Sequence, residues 1–235
     1  MTTPPPRPLH FPPPIALLLA LGVGTAHADR PLVSETADVI GAGDCQLEAA
    51  VGRSRESGAA SPLLLETLVS CGLGGHTQLG ITLAGARAGG STDKLVAFGG
   101  KTTLVMPKDD TTGYALAYSI WRSNEAGEGG NQGGGRLFGV ATRELGKDLL
   151  GHLNLGWLRT GRNQLNHTTW SLGIEGEGAL GWAADVFGDD RSRPWASGGV
   201  ILPLTDKISA NLAYAQQFET PRVHLWTLGL KIEFQ

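Results

Sequence analysis

Apolar and polar residues alternate with period two along most of this chain, most regularly at its C-terminal end. From Trp226 every second residue is large and apolar (Trp226, Leu228, Leu230, Ile232, Phe234), with Thr227, Gly229, Lys231 and Glu233 between them. This pattern predicts a strand with one apolar and one polar face. The same alternation predicts strands at about 43–53 (Cys45, Leu47, Ala49, Val51), 62–71 (Leu63, Leu65, Thr67, Val69, Cys71), 76–86 (Leu79, Ile81, Leu83) and 94–106 (Val96, Phe98, Leu104). Further strands are predicted at about 112–121 (Tyr114, Leu116, Tyr118, Ile120), 149–159 (Leu153, Leu155, Trp157) and 168–176 (Trp170, Leu172, Ile174). Others follow at about 181–187 (Trp182, Ala184, Val186), 194–202 (Ala196, Val200, Leu202) and 208–216 (Ile208, Ala210, Leu212, Tyr214). A strand at about 136–145 is ambiguous in phase: either Phe138/Val140 or Leu137/Ala141/Leu145 forms its apolar face. With the closing strand the total is twelve.

The connections between these strands alternate in length. After even-numbered strands they are tight (72–75, 107–111, 146–148, 177–180, 203–207), and after odd-numbered ones longer and more polar (54–61, 87–93, 122–135, 160–167, 188–193, 217–222). Short turns at one end and longer loops at the other are how transmembrane β-barrels are built, with the short turns periplasmic. An apolar last strand left as an open edge would invite aggregation, and pairing with the first strand removes that edge. A closing strand with an aromatic next to its last residue resembles the assembly signal of bacterial outer-membrane barrels. The expected fold is therefore all-β, a closed antiparallel transmembrane β-barrel of about 12 strands over residues 43–235. Period alone does not say which face points outward; a soluble barrel or sandwich would turn the apolar face in. Two features favour outward: a polar phase rich in Gly, Ser, Thr and Ala, and aromatics near strand ends (Trp121, Trp157, Trp195, Tyr214, Trp226, Phe234), where interfacial girdles sit.

The start of the chain changes this picture only by adding an address. Arg7, the apolar run 15–23 and Ala26-His27-Ala28 read as a signal peptide over residues 1–28, too short to cross a bilayer as a helix. Residues 29–42 read as a polar periplasmic lead-in. Removing the signal takes away one basic residue, Arg7, and no acid, so the net charge of −3 becomes −4. That balance argues against nucleic acid as a partner. The 35 glycines suit strands and turns better than helices.

Two stretches carry a family resemblance. Residues 29–37 followed by 43–49, and Ala184-Asp-Val-Phe-Gly-Asp189 followed by Arg193-Pro-Trp-Ala-Ser-Gly-Gly199, resemble a group of Gram-negative outer-membrane β-barrel transporters of the phenol meta-pathway type. The resemblance runs through the mature chain in strand order and implies an outer-membrane barrel passing small, aromatic or apolar compounds. The group has no catalytic motif to carry over.

The candidate site is the lumen. On the polar phase stand Gln46, Glu48, Glu66, Gln78, Lys101, His152, Asn154, Glu175, Asp185, Asn211, Lys231 and Glu233. Inward charges can set selectivity for a solute; alternatively they pair with one another and fill a closed interior. No catalytic site is expected: the mature histidines His76, His152, His167 and His224 have no identifying Ser or acid spacing. No metal or cofactor is expected, since no His/Cys cluster has zinc spacing. The Gly-rich run 127–135 lacks the ending of a phosphate loop and reads as a flexible loop tip. Two contacts are expected from register. Setting Phe234 level with Cys45 places Lys231 opposite Glu48. Pairing Val51 with Leu65, Ala49 with Thr67 and Leu47 with Val69 brings Cys45 opposite Cys71, the only two cysteines, for a disulfide in an oxidising compartment.

The functional expectation is a passive outer-membrane channel or transporter for small solutes. The alternatives are a closed structural or adhesive barrel without transport, and a soluble exported β-domain. Expected partners are outer-membrane lipid and, through the C-terminal strand, the barrel-assembly machinery.

Overall fold

The computed structural model describes residues 32–56, 61–88, 90–108, 111–124, 131–160, 165–218 and 222–235. The predicted signal peptide lies outside these residues. Twelve strands follow one another: β1 (Cys45–Glu56), β2 (Leu63–Gly74), β3 (Thr77–Ala88), β4 (Ser91–Val105), β5 (Gly113–Asn124), β6 (Asn131–Gly146), β7 (Leu149–Thr160), β8 (Leu165–Gly176), β9 (Gly181–Asp189), β10 (Trp195–Thr205), β11 (Ile208–Gln217) and β12 (Val223–Phe234). Each pairs with its sequence neighbours and β12 pairs with β1, so the sheet closes into a barrel. Every strand pair is antiparallel. Closure removes the open edge that β12 would otherwise present.

The closing register is the expected one. Cys45 faces Phe234, and Glu48 faces Lys231. In the first hairpin Val51, Ala49 and Leu47 face Leu65, Thr67 and Val69. Cys45 and Cys71 then stand opposite with Cα atoms 4.1 Å apart and form a disulfide. Short turns follow β2, β6, β8 and β10, but two connections depart from the expected alternation: β4 ends at Val105 and β5 begins only at Gly113, whereas β3 ends at Ala88 and β4 already begins at Ser91, because both strands run on into the expected loop 87–93. In the β2–β3 turn Gly75 and His76 both take positive φ, the geometry that matches hairpin twist.

The apolar phase points outward. Leu65, Ile81, Leu83, Ile120, Leu155, Leu172, Trp226 and Leu228 are all exposed, while Gln78, Lys101, Thr142 and His152 are buried. A wall with an apolar outside and a polar inside is what lipid around a barrel requires. The phase of β6 resolves the same way: Leu137 and Leu145 face out, whereas Phe138 and Val140 are buried inside.

Three expectations are corrected. Trp121 and Trp195 are not girdle residues; both are buried inside the barrel, in separate apolar clusters. The Gly-rich run is in part a strand, because β6 begins at Asn131. Gly134 lies so close under Trp121 that a Cβ there would meet the indole at 2.2 Å, so the glycines make room for an inward Trp. The third correction concerns residues 32–42, expected as a periplasmic lead-in. They enter the lumen. Ser34, Glu35, Thr36 and Ala37 are buried and bond to side chains of β4, β6, β7 and β9, strands on different sides of the barrel. Only a segment inside the barrel reaches them all. The segment has no apolar period, so its pattern reads as a loop. Its polar backbone is nonetheless satisfied, as burial requires.

Candidate functional site

The site is the lumen together with the segment it holds. The segment leaves the short-turn end beside β2. Gly43 donates to the Gly72 carbonyl at 3.0 Å, Gly72 donates to Asp44 at 3.0 Å, and Asp44 donates to Gly41 at 3.1 Å. Gly72 is needed here, since a Cβ would sit 2.1 Å from the Gly41 carbonyl oxygen. The segment then runs inward along a row of lumen side chains. Ile40 N–H donates to Gln78 Oε1 at 2.8 Å, and Ala37 N–H to Thr142 Oγ1 at 2.8 Å. The Ala37 carbonyl accepts from Thr103 Oγ1 at 2.5 Å, and the Thr36 carbonyl from Lys101 Nζ at 2.8 Å. Asn154 holds Glu35 by both backbone groups, accepting its N–H at 2.6 Å and donating to its carbonyl at 3.0 Å. Asp185 Oδ2 accepts the N–H groups of Val33 at 2.6 Å and Ser34 at 2.9 Å.

Above its base, where Ala42 bridges Gly72, the wall thus binds the segment through side chains. Charge reinforces the grip. The Glu35 carboxylate is buried 3.5 Å from Lys101 Nζ and 3.9 Å from Arg136. Arg136 also lies over the Phe138 ring, 4.6 Å from its centroid. Beyond the segment's inner end, Val33, Arg136, Phe138, Ser171 and Phe187 line a cavity of about 50 Å³. That is room for a few waters and not for a ring-sized solute.

Of the predicted lumen residues, Gln78, Lys101, Asn154 and Asp185 are brought together by the segment. His152 and Glu175 form a second group, with Nε2 3.3 Å from the carboxylate and Nδ1 3.1 Å from Thr142. Glu48 is buried beside Gln46, which donates to it at 2.7 Å, and faces Lys231 in register. Lys231 also lies 3.1 Å from Glu233. Glu233 is 50 % exposed, so it belongs to the short-turn mouth and not to the enclosed lumen. Asn211 is buried against Gly229, and Glu66 is half-buried on β2. Sequence reasoning missed Glu35, because its segment carries no period. It also missed Arg136 and Thr142, whose inward phase was hidden by the ambiguity of β6.

His76 is at a turn, and His152 and His167 are buried on the lumen phase. His224 bonds Tyr214 through Nδ1.

Residues 16–234 match the model of a family described as uncharacterised conserved protein UCP029691. The chain belongs to that family. No curated protein matches it in sequence. Among solved structures it is similar to the KdgM porin in complex with disordered oligogalacturonate, with a TM-score of 0.59 at 7% identity over 80% of this chain and 99% of that one. The NanC porin aligns with a TM-score of 0.57 at 11% identity over 79% of this chain and 98% of that one. Outer membrane phospholipase A from Escherichia coli aligns at 0.53, with 9% identity over 80% of this chain and 92% of that one. At such identities the family member shares with these proteins the closed outer-membrane-type barrel fold.

Proposed function

We propose that this chain is an outer-membrane β-barrel of a Gram-negative bacterium that passes small solutes through its lumen, with residues 32–40 as a gate in the path. The observation that carries this reading is how the lumen is filled. Its occupant is a strap bound by side-chain hydrogen bonds, so its departure leaves the barrel's own backbone ladder intact. Inward side chains alone fill barrels of about eight strands, and this wider one of twelve is filled by a separable segment instead. The porin neighbours support the channel reading by fold. The apolar outer wall supports the lipid location, with residues 1–28 as the export signal and the Phe234-ended strand as the assembly-machinery contact. The chain is read as non-enzymatic.

The resemblance to phenol meta-pathway transporters adds a solute class, small aromatic or apolar compounds. In its favour, Phe138, Phe187 and Trp195 are all buried on the lumen side. A second reading, a closed structural or adhesive barrel, is favoured by the small size of the cavity beyond Val33. Planar-bilayer recording of the purified protein separates the two. Expected are rare openings in the whole chain and a steadily conducting pore when residues 32–40 are deleted. If neither protein conducts or passes small solutes in liposome flux, the channel reading fails.

A further inference from the structure

At the long-loop end, the start of β8 and the end of β9 bring together three groups that the sequence keeps apart. His167, Asp189 and Asp190 each offer a ligand atom, and these atoms lie within 4.8 Å of one another. His167 and Asp189 are buried, while Asp190 is exposed. His167 Nδ1 is fully enclosed with no hydrogen-bond partner among the described residues, 4.0 Å from Asp189 Oδ2. A buried imidazole nitrogen held toward a carboxylate but beyond hydrogen-bond reach is costly unless something lies between them.

The carboxylates are held in place from behind. Asp189 Oδ1 accepts the N–H groups of Arg191 at 2.7 Å and Ser192 at 2.6 Å. Its Oδ2 accepts the Ser192 hydroxyl at 3.0 Å. Asp190 Oδ1 accepts the Thr168 N–H at 2.9 Å. Hydrogen bonds of this kind orient metal-binding carboxylates and sharpen their geometry. We infer that His167, Asp189 and Asp190 form a binding site for a divalent ion of the zinc class at the long-loop mouth of the barrel. One imidazole with two carboxylates suits zinc, whereas calcium takes an all-oxygen set of six to eight ligands. Around a tetrahedral zinc with bonds of about 2.0–2.1 Å, neighbouring ligand atoms lie about 3.3 Å apart. The imidazole and the Asp189 carboxylate, 4.0 Å apart, therefore need to close by about 0.7 Å, and the widest pair of the three, within 4.8 Å, by up to about 1.5 Å. Three protein ligands leave a fourth position to water or solute. A bound ion would tie β8 to the turn after β9 and set a positive charge at the mouth.

The test uses the full-length, untagged barrel folded in detergent, titrated calorimetrically with Zn²⁺. One equivalent should bind, and Co²⁺ in its place should give visible d–d absorption. His167→Gln and Asp190→Asn should each weaken binding at least tenfold, with His76→Gln unchanged. Asp190 is exposed, so its variant folds even where His167→Gln does not, and heat-modifiable gel mobility checks both. No saturable Zn²⁺ binding below about millimolar, or wild-type affinity in Asp190→Asn, overturns the site.

Discussion

Replacing Asp185 by Ala should release the segment from the lumen without unfolding the barrel. Asp185 Oδ2 holds the strap by the backbone N–H groups of Val33 and Ser34, and less closely by the Ser34 hydroxyl at 3.3 Å. A hydrogen bond to a charged group is worth about 1.5–3 kcal/mol net. Taking the lower figure for the two backbone donors alone, and nothing for the hydroxyl, the variant loses about 3 kcal/mol of strap binding. In the released state both N–H groups return to water, so the whole loss falls on the bound state. At about 1.4 kcal/mol per tenfold, the released population rises roughly 100-fold. The barrel ladder is untouched, because Asp185 pairs with Ser197 and Gly173 through its backbone.

A thiol at Ala37 reads this population. Ala37 is completely buried against Ala115, Ala117, Phe138 and Val140. Cys45 and Cys71 are joined to each other, so Ala37→Cys supplies the one reactive thiol. When the strap re-docks faster than the reagent reacts, the labelling rate follows the released population. A membrane-impermeant maleimide should label Ala37→Cys about 100-fold faster in the Asp185→Ala background. Equal rates in the two backgrounds refute the assignment of Asp185 as a latch. A parent rate as fast as that of a free peptide thiol refutes the docked strap itself.

Three further outcomes follow from the same geometry. Glu35→Gln leaves Lys101 and Arg136 without its charge, and breaking a buried ion pair costs about 3–5 kcal/mol, so labelling at position 37 should accelerate; adding Lys101→Met should recover part of that loss, and strictly additive effects would show that the pair is not coupled. Gly72→Ala forces a Cβ to within 2.1 Å of the Gly41 carbonyl oxygen and should loosen the base of the strap by about 1–3 kcal/mol, whereas Gly139→Ala, whose nearest neighbour would be 4.0 Å away, should be silent in the same labelling assay. The paired change Cys45→Ser, Cys71→Ser opens a loop of sequence separation 26 and should cost about 3.5 kcal/mol on the chain-entropy relation; urea unfolding in detergent micelles with an unchanged midpoint would contradict it.

The wall of this barrel was legible because a wall is periodic. Strand count, closing register, disulfide and outward phase all follow from one rule, that side chains alternate across a sheet while partners advance in step. Where the rule gave two answers it failed. In β6 both phases carry large apolar residues, and the inward phase proved to hold Arg136, Phe138, Val140 and Thr142. Trp121 and Trp195 show a related limit. An aromatic near a strand end reads as an interfacial anchor, yet their odd positions on β5 and β10 already placed them on the lumen phase. Attention to phase over residue type would have turned them inward.

What stayed hidden was everything held by irregular backbone. Gln78, Lys101, Asn154 and Asp185 were visible as inward polar residues, and pairing among themselves was the natural expectation. Each instead bonds a peptide group of residues 33–40, while Asn154 and Asp185 also accept from the wall hydroxyls of Ser171 and Ser197. A peptide group is the same at every position, so no side-chain pattern announces it. The site of His167, Asp189 and Asp190 was invisible for the complementary reason. Metal spacing rules describe ligands close in sequence, whereas here β8 and β9 bring the imidazole and the two carboxylates together across a hairpin. Both cases rest on one physical demand, that buried polar groups find partners. The demand applies equally to an inward Asp and to an unperiodic stretch of chain. An inward polar row too widely spaced to pair with itself is therefore a sequence-level sign that something else must enter the barrel. In this chain, Asp185 on β9, Asn154 on β7 and Gln78 on β3 are such a row, and residues 33–40 are what enters.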